Sequence, residues 1–263
     1  MKYLILRRMV QFSILVLFSF SMFDFVLKGN LSSSVLFSSV PLSDPFAYIQ
    51  LVLASLQVDL IALSGALIVF LFYAIFAGRA FCAWVCPVNI ITDFAYYIRV
   101  KLRFNQTKIF NVHKNLRYYV MGFVLIFSFL FSYPVFEEFS YIGVIQRGLI
   151  FGGISWLFIA LIIFCIDAFF SPRFICSHFC PLGAFWALSS RFSLLKIKYN
   201  LQKCTQCYKC LGVCPEKQVL WMIGKENQNV KSGECIRCGK CVDVCEDDAL
   251  GFSIINLRRE NEK

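Results

Sequence analysis

Two cysteine runs near the C-terminus restrict what this chain can fold into more than any other feature. They read Cys204-x-x-Cys207-x-x-Cys210-x-x-x-Cys214-Pro215 and Cys235-x-x-Cys238-x-x-Cys241-x-x-x-Cys245. Three closely spaced cysteines grip three irons of a cubane from one loop, and the fourth reaches a second cubane. This crossed pattern assigns Cys204, Cys207, Cys210 and Cys245 to one [4Fe–4S] cluster, and Cys235, Cys238, Cys241 and Cys214 to another. Zinc sites pair two Cys-x-x-Cys units across a longer gap and explain the runs poorly. The segment from about Tyr199 to Phe252 repeats at an offset of 31 residues. So small a core needs its clusters as staples. Val219–Ile223 and Leu250–Ile254 are expected to be strands, with Gly224–Gly233 a turn. Glu246 stands where a proline commonly follows the last cysteine, which bears on solvent access and not on ligation.

The remainder of the chain has a different character. Of 263 residues, 59% are hydrophobic and 30 are phenylalanine. Mean hydropathy is +0.68. A soluble domain cannot hide that much apolar surface, so a membrane protein is implied. Four segments qualify as spans: Met9–Leu27, Val58–Ala77, Tyr118–Phe136 and Leu149–Phe170. Each approaches the ~20 apolar residues a helix needs to cross a bilayer, and helices satisfy their own backbone in lipid. Twelve of the thirteen cysteines fall in metal-like spacings, which argues against a disulfide framework.

The net charge of +10 reads first as a topology signal rather than as nucleic-acid binding. Lys2, Arg7 and Arg8 precede the first span; Arg99, Lys101, Arg103, Lys108, Lys114 and Arg117 lie between the second and third; Arg173, Arg191, Lys196, Lys198 and Lys203 follow the fourth. The opposite segments hold only Lys28 and Arg147, with Asp44, Glu137 and Glu138. The positive-inside rule then places both termini, the middle loop and the cluster segment in the cytoplasm of a multi-pass inner-membrane protein. The first span is long for a signal h-region and lacks a small-residue cleavage pattern, so it reads as uncleaved despite Arg7-Arg8. Pro45–Gln57 is apolar but too short to cross, which suits a packing or interfacial helix, an extension of the second span, or a lid over a lipid-soluble substrate.

The second and fourth spans end alike. Arg79-Ala80-Phe81-Cys82-Ala83-Trp84-Val85-Cys86-Pro87 returns 94 positions later as Arg173-Phe174-Ile175-Cys176-Ser177-His178-Phe179-Cys180-Pro181. The expected fold is therefore an all-α membrane domain of four transmembrane helices, built as a tandem two-helix parallel pseudo-repeat, plus a small α+β two-cluster ferredoxin domain. Residues 1–198 would form the first, 199–254 the second, and 255–263 a polar tail. Cysteines at i and i+4 share a helix face, and the following proline redirects the chain. Cys82, Cys86, Cys176 and Cys180 together make a full ligand set for a further iron–sulfur cluster at the membrane edge. A thiol–disulfide or quinol-interacting pair, or small packing residues, are the other readings.

Arg79 and Arg173 read as helix-end anchors that snorkel, or as charges supporting a reduced cluster or semiquinone. His178, where the first copy has Trp84, reads as a headgroup-level histidine, a proton acceptor or a variant ligand. Asp24, Asp59 and Asp167 lie near span ends, where a charge is cheap or handles protons. Cys165 reads as a small buried hydrophobe. Only two histidines occur, His113 and His178, neither mid-span, and there is no Cys-x-x-Cys-His or glycine-rich nucleotide loop. Haem and nucleotide cofactors are not expected.

With these motifs in place, the chain resembles the NapH family, membrane ferredoxin-type subunits of the quinol dehydrogenase serving periplasmic nitrate reductase. The resemblance rests on four spans, Gly78-Arg79-Ala80-Phe81-Cys82…Cys86-Pro87-Val88-Asn89…Asp93, Cys176…Cys180-Pro181-Leu182-Gly183 and the double-cluster unit. It covers nearly the whole chain. The paired Cys-x-x-x-Cys-Pro motifs are its specific part, and polyferredoxin-like proteins of nitrous oxide respiration and cytochrome oxidase assembly share them. The resemblance implies oxidation of quinol (menaquinol or ubiquinol) from the quinone pool. Electrons would pass to a periplasmic iron–sulfur partner of the NapG type and on to periplasmic nitrate reductase with its cytochrome subunit. The surroundings of Arg79, Trp84, Arg173 and His178 are the candidate quinol site. A different class of function is an accessory factor for metalloenzyme assembly, of the copper-reducing kind. Such proteins usually carry an added periplasmic domain, whereas here the ferredoxin unit is followed only by the tail to Lys263. A redox-sensing regulator is a third reading, without a signalling or DNA-binding module to support it.

Overall fold

The computed structural model describes residues 2–19, 27–29, 33–36, 40–102 and 113–254. Asp24, Arg103, Lys108 and the tail 255–263 therefore lie outside the described residues. The chain divides into a cluster unit (Met1–Met9, Phe72–Trp84, Trp186–Lys263) and a helical unit (Val10–Leu71, Val85–Phe185).

In chain order, α1 (Lys2–Ser19) precedes a three-stranded antiparallel meander of β1 (Leu27–Gly29), β2 (Ser33–Leu36) and β3 (Val40–Ser43). The register sets Val35 opposite Pro41. Helix α2 (Pro45–Ser55) follows. Asp44 caps it by accepting from the Phe46 amide at 3.0 Å, and Pro45 supplies the fixed φ suited to a first turn. Its buried Phe46 packs on Phe136 and Phe185 within the helical unit. Asp59 opens α3 (Leu60–Phe72) by accepting from the Ile61 amide at 2.9 Å, so the end-of-span carboxylate has a capping job. From α3 the helix continues through a widened turn, Tyr73–Ala77, and a tight one, Gly78–Ala80, into α4 (Phe81–Trp84). The helical unit then holds α5 (Val88–Lys101), α6 (Leu116–Leu130), α7 (Val135–Phe139), α8 (Tyr141–Phe151), α9 (Ser155–Cys165) and the first part of α10 (Pro181–Ser189).

Among the described residues, one helix, Leu60–Trp84, is long and apolar enough to cross a membrane. At about 1.5 Å per residue it exceeds the ~30 Å hydrocarbon layer. The other expected spans come out shorter. Leu27 belongs to a strand and not to the end of the first span. Helix α6 stops at Leu130 rather than Phe136, because Ser132 is left-handed (φ 50°) and Pro134 has no amide to continue the ladder. The expected span Leu149–Phe170 is broken at Gly152 and Gly153, with φ of 79° and 112°, leaving an apolar helix over Ser155–Phe170. The Cys-x-x-x-Cys pairs are not on regular helix either: Cys86 lies beyond α4, and Cys180 is an extended residue closing the wide turn Ile175–Phe179.

The cluster unit pairs β4 (Leu195–Tyr199) with β5 (Leu250–Ile254), Ile197 opposite Phe252. Leu250–Ile254 is thus a strand as expected, but Val219–Ile223 is not. It begins in the tight helical turn Lys217–Leu220, which buries Val219, Leu220, Met222 and Ile223 in the core. Its place in the sheet is taken by Leu195–Tyr199, where Lys196 and Lys198 alternate with Leu195, Ile197 and Tyr199 in the period-two pattern of a half-buried strand. Asn229 adds one bridge beside Lys198. Short helices α11 (Lys209–Val213) and α12 (Lys240–Asp243) each follow a cysteine loop.

Asp243, in α12, accepts from the amides of Tyr3 and Leu4 at 3.1 Å each and so caps α1 from a distance in sequence. Substituting a capping carboxylate by alanine typically costs about 1 kcal/mol. Asp243→Ala should therefore lower the denaturant midpoint of the purified protein with little change in iron content; an unchanged midpoint would show the cap to be idle.

Candidate functional site

The two cysteine loops have the same backbone conformation. Gln206 and Arg237, each second after the first cysteine, are left-handed (φ 58° and 51°). So are the residues after the second cysteines, Tyr208 (φ 54°) and Gly239 (φ 73°). Two left-handed residues curl each loop around its own centre; the Gln206 amide accordingly donates to the Cys204 Sγ at 3.3 Å. The second loop has glycine where the first has Tyr208, because a Cβ at Gly239 would lie 2.6 Å from that of Tyr3.

Around these centres lie two cavities. One is lined by Cys204, Cys207, Cys210 and Cys245, with Tyr199, Tyr208 and Asp247. The other is lined by Cys214, Cys235, Cys238 and Cys241, with Glu216 and Arg237. The lining sulfurs are the crossed sets read from the spacing. Among the described residues, no three His, Cys, Asp or Glu side chains gather closely enough to hold a single metal ion. The sulfurs instead ring a space, which suits a group of several atoms. Burial pushes the Cys214 thiol up to about 12 and raises those of Cys210, Cys235 and Cys241. Four buried or half-buried sulfurs that resist ionisation alone are well matched to an iron-containing group, whose cations would offset their charge. The residues present therefore fit [4Fe–4S] clusters.

The second cavity has a charged surround. Arg79, which the sequence suggests should snorkel, is 2% exposed. Its Nη1 donates to the Glu234 carbonyl at 3.0 Å and pairs with Glu216 Oε1 at 3.5 Å. Gln218 bridges Glu216 and Glu234 at 2.7 and 2.6 Å. The physical reason is that Arg79 lies on a segment belonging to the cluster unit, where a carboxylate and a carbonyl replace water as its partners. Arg237 donates to the Leu195 carbonyl at 2.6 Å, to Ser190 Oγ at 2.7 Å and to Ser193 Oγ. Gly78 is left-handed (φ 54°), and a Cβ there would strike the Arg237 guanidinium. Trp84 donates its indole N–H to the Arg237 carbonyl at 3.0 Å. Cys82 and Trp84 pack against Ile236 and Cys238.

In the helical unit, Cys86 and Cys180 are buried and Cys176 is half-buried. The Tyr141 hydroxyl lies against Cys180, with Cys176 and Cys86 within electrostatic reach. The Gly183 amide donates to Cys180 Sγ at 3.3 Å, and Gln11 Nε2 to the Cys86 carbonyl at 3.4 Å. Arg173, 6% exposed, forms an ion pair with Asp93. It is anchored to a carboxylate of α5 and does not snorkel. His178 is also buried, at 8% exposed, its Nδ1 3.2 Å from the Phe174 carbonyl, which corrects the reading of it as a surface histidine near the headgroups. Asp167 is buried and accepts from the Ile175 amide at 3.5 Å, and Arg99 Nη1 donates to the Ala168 carbonyl at 2.8 Å. Cys165 is half-buried rather than buried. Three of the four motif cysteines are thus brought together beside a tyrosine, while Cys82 belongs to the cluster unit. Sequence reasoning missed Tyr141, Glu216 and Arg237; Arg237 directly precedes Cys238 and Glu216 lies two residues after Cys214, which was the available signal.

The fold and these sites define a ferredoxin-type iron–sulfur electron-transfer protein. A family described as 4Fe-4S binding domain matches twice, at 58–105 and 153–201, each match holding one Cys-x-x-x-Cys-Pro motif. A family described as 4Fe-4S dicluster domain matches 196–246. The chain is 36% identical to the methylamine utilization ferredoxin-type protein MauN of Paracoccus denitrificans, over 89% of this chain and 84% of that one. It is also 36% identical to the ferredoxin-type protein NapH of Haemophilus influenzae (89% and 83% covered) and to that of Escherichia coli (83% and 77%). The chain belongs to this NapH and MauN family of ferredoxin-type proteins. No solved structure matches it.

Proposed function

We propose that the chain is the quinol-oxidising, membrane-embedded subunit of a multi-subunit quinol dehydrogenase. It takes electrons from quinol, menaquinol foremost, and passes them to a periplasmic iron–sulfur partner of the NapG type that feeds periplasmic nitrate reductase and its cytochrome subunit. The observation that carries this reading is the pair of four-cysteine cavities in a chain that also holds an apolar helix of membrane-crossing length. The 36% identity to NapH proteins supports the respiratory assignment. When bound, the clusters supply one-electron carriers that split the two-electron oxidation of quinol.

The proposed topology is four spans in residues 1–198, with both termini and the ferredoxin part (199–254) on the cytoplasmic side of the inner membrane. Leu60–Trp84 and the shorter apolar helices Leu116–Leu130 and Ser155–Phe170 support it, as do the flanking basic segments. The cysteines are assigned as Cys204, Cys207, Cys210 and Cys245 for one cluster and Cys214, Cys235, Cys238 and Cys241 for the other. Cys82, Cys86, Cys176 and Cys180 are proposed to hold a further cluster at the membrane edge. Arg79, Trp84, Arg173 and His178 remain the candidate quinol surroundings.

A second reading is favoured by the equal, 36%, identity to MauN, whose name ties it to methylamine utilization. There the same clusters would serve methylamine utilization. Adding a menaquinol analogue to anaerobic, oxidised protein should bleach the iron–sulfur absorbance within the mixing time. No bleaching by quinol, with full bleaching by dithionite, would sink the quinol reading and leave the second.

A further inference from the structure

We infer that the two cluster positions are electrostatically unequal, and that buried Arg79 and Arg237 make the Cys214–Cys235–Cys238–Cys241 cluster the more easily reduced of the two. The inference rests on the proposed occupancy of both cavities by [4Fe–4S] clusters.

The loops repeat in backbone but not in charge. Arg237 lines the second cavity and is 3% exposed, with its guanidinium fixed by Leu195, Ser190 and Ser193. Glu216 lines the same cavity, and Arg79 offsets it. Arg79 also holds the Glu234 carbonyl, one residue before Cys235. The Glu234 carboxylate also stands nearby, bonded to Gln218, but it is less buried than Arg79 and Arg237 and better screened by solvent, which leaves the field around this cluster positive. At the first cavity the corresponding loop position is uncharged Gln206, and the lining charge is Asp247, held by the Thr205 amide at 2.9 Å and hydroxyl at 2.7 Å. The nearby Lys209–Glu246 pair is exposed and largely self-cancelling. Reduction adds an electron to a cluster, so nearby positive charge favours it and nearby negative charge opposes it. Charges and hydrogen bonds around the sulfurs are among the protein's levers on potential. Burial of Arg79 and Arg237 weakens solvent screening, so both act on the cluster more strongly than exposed charges would.

This gives Arg79 a positioning and potential-setting role at the Cys214–Cys235–Cys238–Cys241 cluster, where the sequence left open only that it supports some reduced cluster or semiquinone. The test is an EPR-monitored redox titration of the full chain in detergent, comparing parent, Arg79→Gln, Arg79→Lys and Asp247→Asn. The parent should show two waves from the paired clusters of residues 199–254, apart from the signal of the further cluster proposed at the membrane edge. Arg79→Gln leaves Glu216 without this partner and should lower the higher wave alone, by roughly a tenfold change in reduced-to-oxidised ratio, or about 59 mV for a one-electron couple. Asp247→Asn should raise the lower wave alone, and Arg79→Lys should keep the higher wave close to the parent's. If both variants move the same wave, or neither moves one while iron content is unchanged, the inference is overturned. Loss of iron in both Arg79 variants would assign the residue a purely structural role and also overturn it. Parent protein with too little iron for two four-iron clusters would overturn the occupancy reading itself.

Discussion

Replacing Cys241 with alanine should cost the protein more iron than one cluster contains. Cys241 is a ligand candidate of the second cavity, and it is also a buried member of the core that holds the cluster unit together. That core joins Ile197, Tyr199, Leu220, Met222 and Leu250 with cysteines of both sets, Cys210 among its buried members. A unit of this size has too little apolar surface to fold on burial alone, so ligand binding is folding free energy. Emptying one cavity should therefore loosen the other.

The expected outcome is less than half the parent's iron and labile sulfide per chain, with a lowered thermal midpoint. Cys207→Ala provides the contrast. Cys207 is exposed, so its loss removes a thiolate from the first cavity without opening the core. It should cost no more than one cluster's iron and a smaller part of the midpoint. Cys165→Ala, in neither cavity, should leave iron unchanged. Iron analysis with EPR on anaerobic protein distinguishes the three, and unchanged iron in Cys241→Ala would remove the second cavity from the account.

How much of this was legible in the sequence depends on what each feature demands. Cluster ligation dictates residue type and spacing together, so the crossed cysteine sets could be read from the chain, and the same sets line the two cavities. Leu250–Ile254 was legible as an apolar run between turn residues; its partner Leu195–Tyr199 alternates apolar residues with two lysines, but those lysines were read only as topology charges and the period of two went unused. Arg79 was misread for a related reason. An arginine at the end of an apolar helix looks the same whether it reaches for headgroups or for a buried carboxylate, and Glu216 lies 137 residues away. The break at Gly152–Gly153 was visible as two glycines, yet hydropathy alone runs straight through them. Tyr141 left no local trace, since only tertiary folding brings its hydroxyl to Cys180.

Arg173→Ala is expected to be the most damaging single substitution in the helical unit. Arg173 and Asp93 are both almost wholly buried, and the pair joins α5 to the turn that leads into the second cysteine motif. Arg173 is itself left-handed (φ 55°), a conformation that a non-glycine residue holds only when its surroundings enforce it. Removing the guanidinium strips a counter-charge from a buried carboxylate, and breaking such a pair on one side typically costs about 3–5 kcal/mol. Asp93→Asn should cost less than Arg173→Ala, because the amide keeps the shape and leaves the cation, which is the more easily hydrated through its long stem. Replacing both residues with apolar ones of similar volume, Arg173→Met with Asp93→Leu, should recover much of the loss, since well-packed apolar substitutes for buried pairs are often near neutral. Denaturation of the parent, the double variant and its two component changes, Arg173→Met and Asp93→Leu, in the same detergent gives the coupling energy. If the double variant is as unstable as the sum of the two single changes, the pair contributes through separate contacts, and the ion pair is not what holds the motif turn to α5.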